Sequence, residues 1–285
     1  MNTVLKSNSK EVTIGVGRPF VMIGEKINPT GRKKLAAALT EGNLDYVRQL
    51  ALDQAAWGAD VLDVNVGAPG IDEVAVVKQV VELVASVTDL PLCLDSANPD
   101  VLAAGLAAAP GKPLVNSVSG ETKRLETVLP LVKERGAAVI GLTMDDRGIP
   151  PTAEERVAVA EKILNRAAQM GIPAEDVVID PLVLTVGSDS KAALVTLQTI
   201  EILRKSLGVN VNVGASNVSF KIRASPAPRL SAGRGDRVRG VLITGRRPSV
   251  SLSESNYSAL PQNRLGCHCE ERSLRRSNPQ AVKLA

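Results

Sequence analysis

Six polar residues stand where chemistry could be done: Asp63, Asn65, Asp95, Asn116, Asp180 and Asn217, each at or just after the end of a short apolar run. Glu25 and Asn28 stand in the same relation to the first such run. A carboxylate can take two parallel N–H donors at once, and a carboxamide both donates and accepts. Such a set is equipped to hold a polar ligand. No Ser–His or Cys–His pairing stands in the body of the chain, and the one histidine, His268, lies in its tail. The plainer account is that Asp and Asn are common turn formers and caps after strands. That account serves for any one of these residues better than for the whole set.

The periodicity of the chain supplies the elements that carry them. Apolar, β-branched runs at residues 20–24, 61–66, 91–95, 114–116, 138–143, 177–180 and 209–213 read as strands. Between them lie amphipathic stretches. Leu44, Val47, Leu50, Ala51 and Ala55 fall at helical spacing, with Asn43 before them and Gly58 after. Val77, Val80, Val81 and Val84 mark the next helix, Asn98-Pro99 opens another, and Thr152 with Glu155 forms a capping box. Strands that alternate with helices predict a parallel sheet. A doubly wound sheet would fit the alternation, but would not bring six strand ends together. In a (β/α)8 barrel of the TIM type those ends converge on one mouth, where active sites sit. The fold class expected is therefore α/β, a TIM-type barrel.

Bulk composition narrows the classes. Aromatics are 2% of the 285 residues, so the core must be built from Val, Leu, Ile and Ala. Residues 1–10 are polar with no apolar signal region, and no run approaches a membrane span. Three scattered cysteines are too few for a disulfide framework, and a cytoplasmic setting is expected. Net charge is +4, but residues 221–285 hold 13 Lys and Arg against 4 Asp and Glu, a balance of +9. Residues 1–220 hold 21 against 26, a balance of −5, which gives no nucleic-acid footprint. Cys93 reads as a core residue and Trp57 as packing. Gly15-Val16-Gly17 lacks the context of a dinucleotide fingerprint, and Cys267-His268-Cys269 is not a metal site by itself.

Five stretches are specific, Ile23-Gly24-Glu25-Lys26-Ile27-Asn28, Asp63-Val64-Asn65-Val66-Gly67, Cys93-Leu94-Asp95-Ser96, Ile179-Asp180-Pro181-Leu182 and Ser216-Asn217-Val218-Ser219, and Asn116-Ser117 joins them. In order and spacing, from about Val21 to Phe220, they resemble the methyltetrahydrofolate methyltransferases. That family includes the corrinoid/iron–sulfur protein methyltransferases and the folate domain of cobalamin-dependent methionine synthase. The resemblance implies a barrel shared with dihydropteroate synthase, with a pterin in the mouth. It implies 5-methyltetrahydrofolate as methyl donor, cobalamin or another corrinoid carried by a partner protein as acceptor, and a homodimer, with no nucleic acid or membrane involved. It assigns ring anchoring to Asp95, Asp180 and Asn116, support of the pocket to Asp63 and Asn65, and a place facing the mouth to Glu25 and Asn28. Asn217 is matched to the amide beside N5, which would donate to that nitrogen as the methyl group leaves.

Two alternatives stay open. One is a dihydropteroate synthase-like enzyme, which the Gly-Glu-Lys-Ile-Asn and Ser-Asn-Val-Ser stretches disfavour. The other is an inactive, truncated pterin-binding remnant. After Phe220 the resemblance stops. Residues 221–285 are Arg-, Ser- and Pro-rich, with 240–244 as their one short apolar run. The division expected is a barrel of seven of eight strands over 1–220 and a basic tail over 221–285. That tail is expected to be disordered or derived from a shifted reading frame. Without the eighth βα unit, the first and seventh strands are expected to carry open edges.

Overall fold

The computed structural model describes residues 1–184, 190–214 and 240–243. It opens with an antiparallel hairpin, β1 (Asn2–Lys6) and β2 (Glu11–Gly15). Seven strands then follow side by side in chain order, each parallel to the next: β3 (Val21–Ile27), β4 (Val61–Val64), β5 (Leu92–Asp95), β6 (Leu114–Ser119), β7 (Ala138–Leu142), β8 (Val177–Asp180) and β9 (Asn210–Val213). The connecting helices are α1 (Lys33–Thr40), α2 (Asp45–Ala56), α3 (Glu73–Val87), α4 (Pro99–Ala108), α5 (Thr122–Arg135), α6 (Ala153–Gln169) and α7 (Ser190–Ile202). The expected α/β barrel without its eighth βα unit is the fold observed. No helix among the described residues is long and apolar enough to cross a membrane.

The expectation of open edges is corrected. Strand β10 (Gly240–Ile243) lies between β3 and β9, antiparallel to both, and closes the ring. It is the apolar run of the tail, set in the slot of the missing eighth strand but running the opposite way. The unpaired N–H and C=O groups of two strand edges are a strong template for any apolar segment within reach. The rest of the tail, Asn217 and Cys267-His268-Cys269 lie outside the described residues.

Local signals account for the element ends. Asn98 caps α4 by accepting from Asp100 N at 2.9 Å, with Pro99 in the first turn. Thr152 and Glu155 make both bonds of the capping box on α6. Gly136 closes α5, and Gly208 closes the π-helical turn Leu203–Leu207 that continues α7, both in the left-handed region. The core has two shells. Between the helices and the sheet lie residues such as Val47, Leu62, Val81, Leu94 and Ile179. Inside the ring lie Val21, Ile23, Val61, Cys93, Leu114, Ala138, Ile140 and Val178, joined by Leu5, Val12 and Ile14 of the hairpin.

The hairpin is therefore the floor of the barrel. Lys6 and Lys112 exchange backbone bonds at 3.0 and 2.9 Å, and Thr3 Oγ1 donates to the Glu175 carbonyl. Asn210 Nδ2 donates to Thr3 Oγ1 at 2.9 Å. Lys112 and Glu175 precede strands and Asn210 opens one, so they mark the N-terminal end of the barrel. Sequence reading leaves 1–17 without an element, because the buried face of β1 alternates through Thr3 and Leu5 and shows one apolar residue only.

Candidate active site

Successive side chains on a strand face opposite sides, so a residue two positions beyond an inward one is also inward and one layer higher. Applied to the ring interior, this rule turns an apolar layer into a polar one at a single step. Ile23 leads to Glu25, Val61 to Asp63, Cys93 to Asp95, Leu114 to Asn116, Val178 to Asp180, and Asn210 to Asn212. On β7 the step leads from Ile140 to Leu142, which stays apolar. The structure thus brings Glu25, Asp63, Asp95, Asn116 and Asp180 to one layer at the C-terminal mouth of the barrel.

Within that layer each aspartate receives an asparagine N–H. Asn116 donates to Asp63 Oδ1 at 3.2 Å, Asn65 to Asp95 Oδ2 at 2.9 Å, and Asn212 to Asp180 Oδ2 at 2.6 Å. The surroundings differ. Asp63 is 2% exposed, and burial pushes its carboxyl well above the usual range. The nearby Asp95 and Glu25 add to the rise, against hydrogen bonds from the Cys93 thiol and Asn116. Asp95 is half-buried and raised by burial, offset by the bond from Asn65 and the charge of Arg124. Burial pushes Asp180 up to about 6, against the Leu182 N–H, Asn212 and the charge of Arg156. Desolvation is the common cause, since a carboxylate removed from water favours its neutral form.

Two arginines missed by sequence reading hold the layer from outside. Arg124 at the start of α5 donates to the Ala97 and Ser117 carbonyls, each at 2.6 Å, clamping the loops after β5 and β6. Arg156 on α6 is 2% exposed and donates to the Pro181 and Leu182 carbonyls at 2.8 and 3.0 Å. Asn212 was missed as well. Its signal is the alternation Val209-Asn210-Val211-Asn212-Val213, which puts both amides on one face of an otherwise apolar strand.

The turn-former account and the site account prove compatible. Asn65 Oδ1 accepts from Gly67 N at 2.8 Å while its Nδ2 serves Asp95, and Asp180 Oδ1 accepts from Leu182 N at 2.7 Å while Oδ2 meets Asn212. One atom fixes the turn and the other faces a site neighbour. Asn28 makes the turn bond, accepting from Thr30 N at 2.9 Å. Asn217 lies outside the described residues. Cys93 is fully buried, and Trp57, expected in packing, is 39% exposed with Lys26 Nζ 4.8 Å over its ring. A groove of about 560 Å³ leads away from Asn65, lined by Thr30, Pro69, Glu73, Ser96 and Asn98 among others.

The profile of the family described as pterin binding enzyme matches residues 24–243. Over 223 residues, 74% of this chain, the sequence is 33% identical to the methionine synthase of Mycobacterium leprae, of which it spans 18%. It is 30% identical over 211 residues to the methylcorrinoid:tetrahydrofolate methyltransferase of Eubacterium limosum, covering 72% of this chain and 76% of that protein. The chain thus spans less than a fifth of the synthase's length and about three quarters of the methyltransferase's. A dihydropteroate synthase from Xanthomonas albilineans, solved with 4-aminobenzoic acid, superposes with a TM-score of 0.53 at 25% identity, over 75% of this chain and 77% of that one. A barrel mouth ringed by paired Asp and Asn, on a sequence matched to the family over residues 24–243, leads to one placement: the chain belongs to the pterin binding enzyme family.

Proposed function

We propose that this chain moves the N5-methyl group of 5-methyltetrahydrofolate to cobalt(I) of a corrinoid carried by a partner protein. The observation that carries the reading is the polar layer with its three Asp–Asn pairs. A pterin presents a 2-amino group beside a ring N–H, and a carboxylate accepts that edge through two parallel bonds. Asp95 and Asp180 anchor the ring, Asn116 offers both donor and acceptor, and Asp63 with Asn65 supports them from the next strand. Glu25 and Asn28 border the same mouth. A carboxylate buried at this mouth favours ligands that bring the donor edge over those that lack it. The groove beyond Asn65 has room for the part of the folate outside the ring.

The corrinoid supplies the nucleophile, a cobalt(I) electron pair that forms the carbon–cobalt bond as the carbon–nitrogen bond breaks. The electron pair of the broken bond stays on N5, which must gain a proton or a strong hydrogen bond. Asn217 is the group assigned to that atom, donating as charge develops there. The relatives named methionine synthase and methylcorrinoid:tetrahydrofolate methyltransferase support methyl transfer over pterin condensation.

The test is the cobalt(I) absorbance of reduced cobalamin mixed with this protein. Loss that depends on 5-methyltetrahydrofolate is expected, and absence of loss with folate demonstrably bound would refute the reading. In the same assay Asn217→Ala should slow transfer by roughly 10²-fold with folate affinity near the parent's. Asp95→Ala should instead weaken binding. Equal losses in rate and affinity for Asn217→Ala would remove it from N5.

A further inference from the structure

Asn210 and Asn212 share the inner face of β9, yet their amides are used differently. Asn210 gives its Nδ2 to Thr3 Oγ1 at 2.9 Å and to the Ile14 carbonyl at 3.1 Å, tying the strand to the floor. Asn212, one layer higher, gives its Nδ2 to Asp180 Oδ2 at 2.6 Å. Its Oδ1 is buried with no partner among the described residues. An amide placed for stability alone would use both ends, because a buried, unmet acceptor costs free energy. The side chain is 3% exposed, so solvent does not relieve that cost.

The neighbours of Asp180 show what the amide does there. From β9 comes the uncharged Asn212, and from β7 the apolar Leu142 in register with it. From α6 comes Arg156, the charged group that favours the ionised carboxyl. The Leu182 N–H holds Oδ1 at 2.7 Å, in a turn whose Leu182 has φ +59. Leu182 thus orients one oxygen and Asn212 the other, and the two together set the plane of the carboxylate.

We propose that Asn212 is a positioning residue for Asp180: its amide fixes the carboxylate plane and donates to its charged form, aimed at the paired N–H edge of a pterin. The ligand in that statement rests on the function proposed above, whereas the coupling of the two side chains does not. Without the Asn212 donor, Asp180 stays buried with one fewer bond to its charge. Its proton is then retained to higher pH, and a protonated carboxyl meets donors with a donor.

The experiment is carbonyl ¹³C NMR of the full chain labelled at aspartate, with the Asp180 resonance assigned by its loss in Asp180→Asn. In Asn212→Val, which keeps a strand-forming residue, the Asp180 midpoint should rise by about one pH unit, and folate binding should weaken about fivefold at pH 6 but not at pH 8.5. Asn212→Thr keeps a hydroxyl donor and should lie between. An unmoved midpoint in both variants overturns the proposal. Should Asn212→Val not fold, the parent decides: its Asn212 side-chain amide shifts must follow the Asp180 midpoint, and a flat response overturns the coupling. A coupled titration in a parent that binds no methylfolate at any pH would uphold the Asn212–Asp180 pairing and refute the pterin site.

Discussion

Burial lifts the Asp180 carboxyl from its ordinary 3.8 to about 6, so at neutral pH the folded chain holds a charge that the unfolded chain carries more readily. Between about pH 4 and 6 the folded state binds this proton and the unfolded state does not. Stability therefore falls as pH rises through that window, by at most about 3 kcal/mol. The same ionised group is the one that meets the ligand in the proposed function. Asp180→Asn is accordingly expected to raise the melting temperature at pH 7, with the gap to the parent closing below about pH 4, while folate binding falls. Calorimetry across pH checks the first part and titration of folate the second. A lower melting temperature at pH 7 would mean that the bonds from Leu182 and Asn212 outweigh desolvation.

At the scale of elements, the β1–β2 hairpin decides whether the polar layer has anything to stand on. Leu5 is fully buried under the ring interior. Leu5→Ala should cost about 2–5 kcal/mol in urea unfolding, with folate affinity in the remaining folded protein unchanged. A matching loss of affinity would show that the floor reaches the mouth. What sequence could reveal divides along this line. The caps at Asn98 and Thr152, the seven parallel strands and the strand-end aspartates are written in local spacing and are legible. The hairpin is not, because its burial depends on a ring that forms later in the chain. Arg124 and Arg156 carry no sequence signal of their role, because only the packed loops reveal their carbonyl partners. Asn212 was visible as an odd polar residue in an apolar strand, but its partner Asp180 is a neighbour only through sheet pairing.

The ring is closed by one short strand. β10 pairs with β3 over Gly240–Ile243 and with β9 over part of its length. The run at 240–244 was legible as apolar, while its place required the empty slot between the first and seventh strands. A chain ended at residue 220 is expected to associate through the two freed edges, and one ended at 249 to sediment like the full chain. Equal sedimentation of both would show that β10 is dispensable for closure.

The polarity of that strand has a consequence for anyone attaching something to this protein. Gly240 stands beside Gly24 and Ile243 beside Val21, so the chain descends along β10 from the mouth toward the floor. Whatever is joined after residue 243 starts at the end where Lys6 meets Lys112, and a tethered reporter or carrier domain must travel around the barrel to reach the opening. An attachment made directly at Gly214, after β9, would start at the rim, since β9 runs antiparallel to β10. The two sites would deliver the same cargo at very different local concentrations to the mouth.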